Sequence, residues 1–201
     1  MLPAVILTTG VLVYRLLFLL AGAPAAWANF SPLAAICLCL SAYADRKRLW
    51  AVPLAGVVAS DLILNAHYHV PLVDTRMLPG YFCFAVAWFL GALIRRLHRG
   101  RVPALFATAL ANSLFFYLVT NSGAWWFDGP APLAIVPYPH SFSGWWQALT
   151  VGHRGFPSPI YFLRNTVISD QVYTALFVGA QTLSARSAIA PTPVHAEHST
   201  H

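Results

Sequence analysis

Three cysteines, each inside an apolar run, are the first residues of this sequence to consider for chemistry, although their spacing indicates neither a disulfide framework nor a zinc site. Cys83 lies near the Pro- and Gly-containing beginning of the run 77–94, MLPGYFCFAVAWFLGALI. A single cysteine in an apolar run is usually small apolar filler, and the position of Cys83 at this helix opening is what makes it a candidate for chemistry. Cys37 and Cys39 form no CxxC pattern and have no histidine at metal spacing, so we expect them to be small apolar filler.

Charged and amide side chains within other apolar runs form a second set of candidates. Arg15, Asp61, Arg164 and Asp170 each lie within or beside a long apolar segment. A charge in hydrocarbon costs about 3 kcal/mol even on lenient insertion scales, so these groups need one another or a water-filled cavity. Two interpretations stay open, a binding pocket inside a helix bundle and ion pairs that only hold helices together.

The composition identifies the class of protein that must position these groups. Of 201 residues, 58% are hydrophobic and only 9% are charged, whereas a soluble domain has roughly 25% charged residues. We therefore predict an all-α integral membrane protein, with lipid as its surrounding partner. The net charge of +6 comes from short basic clusters beside apolar runs, so no nucleic-acid partner is expected.

Six apolar segments predict a six-transmembrane-helix bundle, namely 4–20, 33–44, 51–66, 77–94, 102–120 and 160–183. The segment 33–44 would reach only about 20 Å, so it must borrow flanking residues or stay buried among other helices. Residues 1–184 are predicted to form one transmembrane domain. Residues 185–201, rich in Ala, Pro, Thr and His, are predicted to be a disordered tail.

Basic residues predict the orientation of this bundle. The connections 45–50 and 95–101 hold three and four of them, whereas the connections predicted on the other side hold Arg76 and Arg154 only. By the positive-inside rule both termini are then cytoplasmic, in the inner membrane of a bacterium. Asp61, Cys83 and the tryptophan-rich outer segment 121–159 would share the outer half.

Several short motifs fall along these spans. They are Asn29-Phe30-Ser31-Pro32, Ser60-Asp61-Leu62, Val119-Thr120-Asn121 before Gly123 and Trp125, and Arg164-Asn165-Thr166 before Asp170 and Tyr173-Thr174. Together they resemble a family of small bacterial membrane proteins related to the S components of energy-coupling factor (ECF) transporters. Within it the sequence is most similar to BtuM-type solitary proteins linked to cobalamin uptake. The resemblance implies a substrate-binding transporter with six helices and a pocket at the outer face.

The resemblance also implies roles for individual residues. Cys83 would bind the cobalt ion of cobalamin, which is the transported ligand, and could exchange its upper ligand; no intrinsic cofactor is expected. Tyr81, Trp125 and Trp126 would lie against the corrin edge. The other predicted substrate-binding residues are Asn29, Phe30, Asp61, His67, His69, Arg164 and Asn165, with either histidine as a competing axial ligand.

One departure from that family concerns a partner. Many S components that dock on a shared ECF ATPase module carry an Ala-xxx-Ala pattern on the first helix, and the predicted first span has none. An ATPase partner is therefore doubtful.

Two other functions stay open. The protein could transport another vitamin or a metal, in which case Cys83 is inert. It could instead be a membrane enzyme that uses Asp61, Asp170 or a loop histidine as a proton carrier. Because no nucleophile motif, phosphate loop or HExxH motif is present, the enzyme is the less favoured alternative.

Overall fold

The computed structural model of this chain is built from helices joined by short connections. It describes residues 33–43, 51–67, 69, 71–97, 99–127 and 136–189, together with Thr9, Val13, Leu16, Leu17, Leu20 and Phe30. These residues form α1 (Leu33–Tyr43), α2 (Ala51–His67), α3 (Leu78–Ile94), α4 (Arg101–Phe127), α5 (Phe142–Thr150) and α6 (Pro159–Ile189), with a 3₁₀ turn at Thr75–Met77. Within the described ranges there is no strand, so the all-α prediction is confirmed there.

The short helix α1 lies at the centre of the bundle. Every residue from Leu33 to Ala42 is buried, and the helix packs against α2, α3, α4 and α6. Its 11 residues reach about 17 Å, well short of the roughly 30 Å hydrocarbon core. Because α1 is apolar on all sides, it is stable only when surrounded by other helices. Burial among other helices, one of the two alternatives predicted for this segment, is therefore observed for its described residues.

α3 crosses α1 at close range. A Cβ atom added to Gly91 would overlap the carbonyl oxygen of Leu38, so only glycine allows this approach. One turn away, the Ser41 hydroxyl donates a 2.6 Å hydrogen bond to the carbonyl oxygen of Trp88. Close backbone approach and hydroxyl hydrogen bonds are the contacts by which helices associate in membranes.

α6 runs parallel to α1 and turns its polar side chains toward it. Cys39 Sγ lies 4.0 Å from Thr174 Oγ1, and the rings of Tyr43 and Phe177 are 5.6 Å apart. The buried polar residues of α6 recur at helical spacing and are Asn165, Thr166, Ser169, Asp170 and Thr174. The interior of the bundle is thus unusually polar along this face.

The outward faces of the helices are apolar. Exposed large side chains include Phe82, Phe89 and Leu93 of α3, Leu110, Leu114 and Leu118 of α4, and Ile168, Val172 and Leu176 of α6. Among the described residues, Thr75–Ile94 and Arg101–Phe127 are long and apolar enough to cross a membrane, by length and composition only. In the predicted first span the five described residues are helical, and Val13, Leu17 and Leu20 are exposed.

Two helices extend beyond their predicted ends. α4 continues past residue 120 to Phe127, into the predicted outer segment 121–159, and α5 lies within that segment. The four tryptophans of the segment therefore lie on helices, Trp125 and Trp126 on α4 and Trp145 and Trp146 on α5. α6 continues to Ile189, past the predicted start of the disordered tail at 185, while residues 190–201 lie outside the described residues. Hydropathy identifies only the apolar part of a helix, whereas the backbone hydrogen bonds of the helix continue into the polar residues beyond it.

Candidate functional site

A cavity of about 230 Å³ lies between α1, α2 and α3. Aromatic and aliphatic side chains make its walls, namely Tyr81, Phe84, Ala85 and Trp88 of α3, Leu54 and Val57 of α2, and Cys37 of α1. The α3 residues recur at intervals of three and four, so they lie on one face of that helix. The cavity therefore has one aromatic wall that a single helix supplies.

Neighbouring helices hold this aromatic wall in place. The ring of Phe84 packs at 5.8 Å from the ring of Phe116 on α4. The Trp88 backbone accepts the hydrogen bond from Ser41 of α1. Because α1 and α4 both brace α3, the wall is largely formed before any ligand arrives, as is usual for small-molecule sites.

A polar pair adjoins the cavity. The Tyr81 hydroxyl donates a 3.0 Å hydrogen bond to Asp61 Oδ2, which lies one turn beyond Val57 on α2. The neighbouring Ser60 is buried and its hydroxyl donates to the Val57 carbonyl oxygen at 2.8 Å. Apolar walls with a few convergent polar groups are the usual form of a site for a small organic molecule.

Of the two cysteines, Cys37 and not Cys83 lies at the cavity. Cys83 has 0% exposure and shares the buried face of α3 with Ala87, Gly91 and Ile94, away from the cavity wall. Cys37, which the sequence suggested was filler, lines the cavity. The apolar pattern does not reveal this difference because α3 is apolar on every face. Within the described ranges no three His, Cys, Asp or Glu side chains gather as a metal site.

The tryptophans predicted to bind substrate, Trp125 and Trp126, lie outside the cavity, at the end of α4. The Trp125 indole donates a 2.9 Å hydrogen bond to the carbonyl oxygen of Pro139, and the Trp126 ring stacks on His140 at 6.1 Å. Trp145 of α5 donates a 2.8 Å hydrogen bond to the Ser122 hydroxyl of α4. These contacts attach α5 and the segment before it to the end of α4, outside the cavity.

Arg164 and Asn165 form a local pair on α6. The Arg164 guanidinium donates to Asn165 Oδ1 at 3.2 Å and lies 5.3 Å above the Tyr161 ring. Among the described residues Arg164 has no acidic partner, so neither Asp61 nor Asp170 forms an ion pair with it, although packing ion pairs were one interpretation of these charges. Asn165 itself is buried.

The remaining predicted residues do not join the cavity either. The Phe30 ring lies 6.2 Å from that of Tyr173. His67 ends α2 with an exposed side chain, and His69 is exposed in the following connection with a φ of 56°. Asn29 lies outside the described residues. Of the predicted site, Tyr81 lines the cavity and Asp61 adjoins it.

Most of the aromatic cavity wall on α3 was not predicted, although its spacing is visible in the sequence. Tyr81, Phe84 and Trp88 form an aromatic stripe at helical spacing within the run 77–94. Such a stripe is also typical of ordinary helix packing, so it does not identify a cavity unless the partner helices are placed.

Comparison with known proteins places the chain in a family. No curated protein and no solved structure matches it. A family model described as a family of unknown function matches residues 1–193, which is nearly the whole chain. The protein therefore belongs to the DUF6580 family.

Proposed function

We propose that this protein is a multi-pass membrane transporter that binds a small organic substrate for uptake, in the manner of an S component. The distribution of polarity supports the membrane location, because large apolar side chains face outward while Asp170 and Asn112 are buried. Soluble monomers rarely expose a contiguous apolar surface larger than a few hundred Å². A bilayer would cover the surface that these helices expose.

The proposed topology has six spans with both termini in the cytoplasm. Arginines lie at the end of the bundle where α3 meets α4, and Arg95, Arg96 and Arg99 are exposed there. The opposite end carries the exposed rings of Trp126 and Trp146. Arginine at the cytoplasmic end and tryptophan at an interface fit an inner-membrane protein.

One observation carries the transport proposal, the aromatic cavity beside the Tyr81–Asp61 pair. Its volume of about 230 Å³ suits a small and largely apolar molecule. The carboxylate of Asp61 is an acceptor, so the substrate would carry a donor or a positive charge at that end. Binding between α2 and α3 would let a movement of α2 open the site.

Cobalamin is the substrate that the family resemblance predicts, and it is the first to test. Sites for drug-sized ligands measure about 300–1,000 Å³, and a corrinoid is larger than such ligands. The observed cavity could accept it only if α2 and α3 separated. The thiol on the cavity wall is that of Cys37, whereas Cys83 would have to move out of the core to reach cobalt.

Native mass spectrometry of the protein purified from bacterial membranes tests the proposal. We expect a small molecule to remain bound to the wild type and to be lost in Ala85→Trp, because an indole at Ala85 would fill the cavity. Ala111→Trp places the same indole on the exposed face of α4 and is the matched control. A ligand that survives Ala85→Trp, or none in any sample, contradicts the cavity proposal.

A visible absorption spectrum tests cobalamin itself. Cyanocobalamin is added to the wild type, to Cys83→Ser and to Cys37→Ser. A spectral change that only Cys83→Ser abolishes supports Cys83 as the cobalt ligand, and one that only Cys37→Ser abolishes assigns cobalt to the cavity wall. An unchanged wild-type spectrum removes cobalt ligation by a thiol.

A further inference from the structure

A second polar site is buried where α1, α4 and α6 meet. Asp170 is 1% exposed, and Ser113 of α4 is fully buried with its Oγ 2.7 Å from Asp170 Oδ2. The carboxyl also faces the backbone N–H of Ala35 in the first turn of α1. Its Oδ1 makes no hydrogen bond of ordinary geometry within the described residues. None of these residues lines the cavity.

Among the residues that the structure describes, no positively charged side chain faces Asp170. From α1 the titratable groups that face it are the thiols of Cys37 and Cys39, and from α4 the contacting group is the Ser113 hydroxyl. On α6 itself, the basic side chain of Arg164 is bound to Asn165 and lies over Tyr161. Within the described part of the chain no ion pair compensates a carboxylate at this position. Proton binding would remove the uncompensated charge.

The hydrogen bonds of Ser113 allow both protonation states. Its Oγ lies 2.9 Å from the carbonyl oxygen of Ala109 and 2.7 Å from Asp170 Oδ2, yet a hydroxyl has only one hydrogen to donate. When Asp170 is ionised, the Ser113 hydroxyl donates to Oδ2. When Asp170 is protonated, its O–H donates to Ser113 Oγ, which donates in turn to Ala109. Rotation of one hydroxyl therefore satisfies either state.

We propose that Asp170 is a proton-binding site in the core of the bundle and that Ser113 is the hydroxyl that adapts to its protonation. On binding, a proton from water forms an O–H bond at Oδ2 and neutralises the carboxylate. On release, the proton returns to water and the hydroxyl hydrogen of Ser113 turns back to Oδ2. Asp170 on a buried polar stripe of α6 would then couple proton movement to uptake, and this coupling role rests on the transport function proposed above.

A proton fits this site better than a metal ion does. Within the described ranges no cluster of three His, Cys, Asp or Glu side chains surrounds Asp170. The oxygens next to the carboxyl are the Ser113 hydroxyl and the Ala109 carbonyl oxygen. Hard cations take six or more oxygen ligands, and these two groups are too few. Asn112, which precedes Ser113, adds a buried Oδ1 that lacks a hydrogen-bond partner in the described residues.

Infrared spectroscopy of the full chain in lipid nanodiscs tests the site without any substrate. The sequence has only six acidic side chains, so a protonated carboxyl band can be assigned with one variant. At pH 7 we expect a carboxylic acid C=O band that is lost in Asp170→Asn and disappears from the wild type as pH rises. In Ser113→Ala the band should shift in frequency, because the protonated acid loses its acceptor. Thr182→Ala, on the exposed part of α6, should leave the band unchanged.

Two results would overturn the proposal. One is the absence at pH 7 of any band that depends on Asp170. The other is a band that persists at every pH at which the protein stays folded, since the acid would then be purely structural. If Asp170→Asn does not fold, the shift in Ser113→Ala carries the same test. The spectrum needs no substrate, so its failure is distinct from a failure of the ligand experiment above.

Discussion

Tyr81 and Asp61 lie on different helices and are joined by a hydrogen bond of 3.0 Å from the phenol to Asp61 Oδ2. The bond ties α3 to α2 beside the cavity, where Tyr81 also forms part of the wall. A single tyrosine thus contributes an apolar face to the cavity and orients the nearest carboxylate. The geometry of the proposed binding site depends on this contact.

Replacing Tyr81 with phenylalanine tests that contact. Tyr81→Phe keeps the ring and removes the donor, so we expect a loss of about 1.5–3 kcal/mol in the free energy of unfolding, as for hydrogen bonds to charged groups. Denaturation in mild detergent would measure the loss. Tyr161→Phe is the control, because Tyr161 is exposed. Equal stability of the two variants would show that the Tyr81 bond contributes nothing.

Gly91→Ala should separate α3 from α1. The added Cβ would overlap the Leu38 carbonyl oxygen and lie 2.9 Å from Ser41 Cβ, so the helices must move apart. Overpacking of this kind costs about 1–3 kcal/mol. Thermal unfolding should show a lowered Tm for this variant. Gly80→Ala on the same helix meets no atom within 4 Å and should be neutral or slightly stabilising.

Trp145→Phe should loosen α5. The variant loses the 2.8 Å hydrogen bond from the Trp145 indole to the Ser122 hydroxyl, at a cost of about 0.5–1.5 kcal/mol. Hydrogen exchange should accelerate in α5 and remain unchanged in α1. Trp146→Phe changes the adjacent, exposed indole and should leave exchange unaltered. Similar acceleration in both variants would mean that packing, and not this hydrogen bond, anchors α5.

Asp74 gives an expected pH dependence outside the proposed spans. Hydrogen bonds from the Arg76 side chain, and then from its backbone N–H, hold the pKa of Asp74 below its ordinary value. The resulting stabilisation is complete above the unfolded pKa of about 3.9 and is lost as pH falls through the lower folded pKa. NMR titration of the Asp74 carboxyl should give a midpoint below that value. Arg76→Ala should raise the midpoint, and an unmoved midpoint would contradict this cause.

Element positions were predictable because they depend on local composition. The runs 51–66 and 77–94 correspond closely to α2 (Ala51–His67) and α3 (Leu78–Ile94). Long apolar runs favour helices since every backbone group can then be hydrogen-bonded within the segment. The length of the 33–44 segment left two alternatives open, and the structure shows that Leu33–Ala42 are buried among other helices.

Side-chain partners were not predictable from the same pattern. The Asp170–Ser113 bond joins residues 57 positions apart, and its formation depends on how α4 and α6 are rotated about their axes. An evenly apolar helix does not specify that rotation in its sequence. For the same reason the sequence did not indicate that Cys37, and not Cys83, lies on the cavity wall.

The sequence by itself determined that this protein is helical, that its helices are apolar, and which polar groups interrupt them. Only the tertiary structure decided that Cys37 lines the cavity, that Tyr81 meets Asp61 and that Asp170 meets Ser113. The physical reason is that hydropathy is a sum over neighbouring residues, whereas a site depends on the direction of each side chain. That direction is set by packing between helices distant in sequence, as at Gly91 against Leu38.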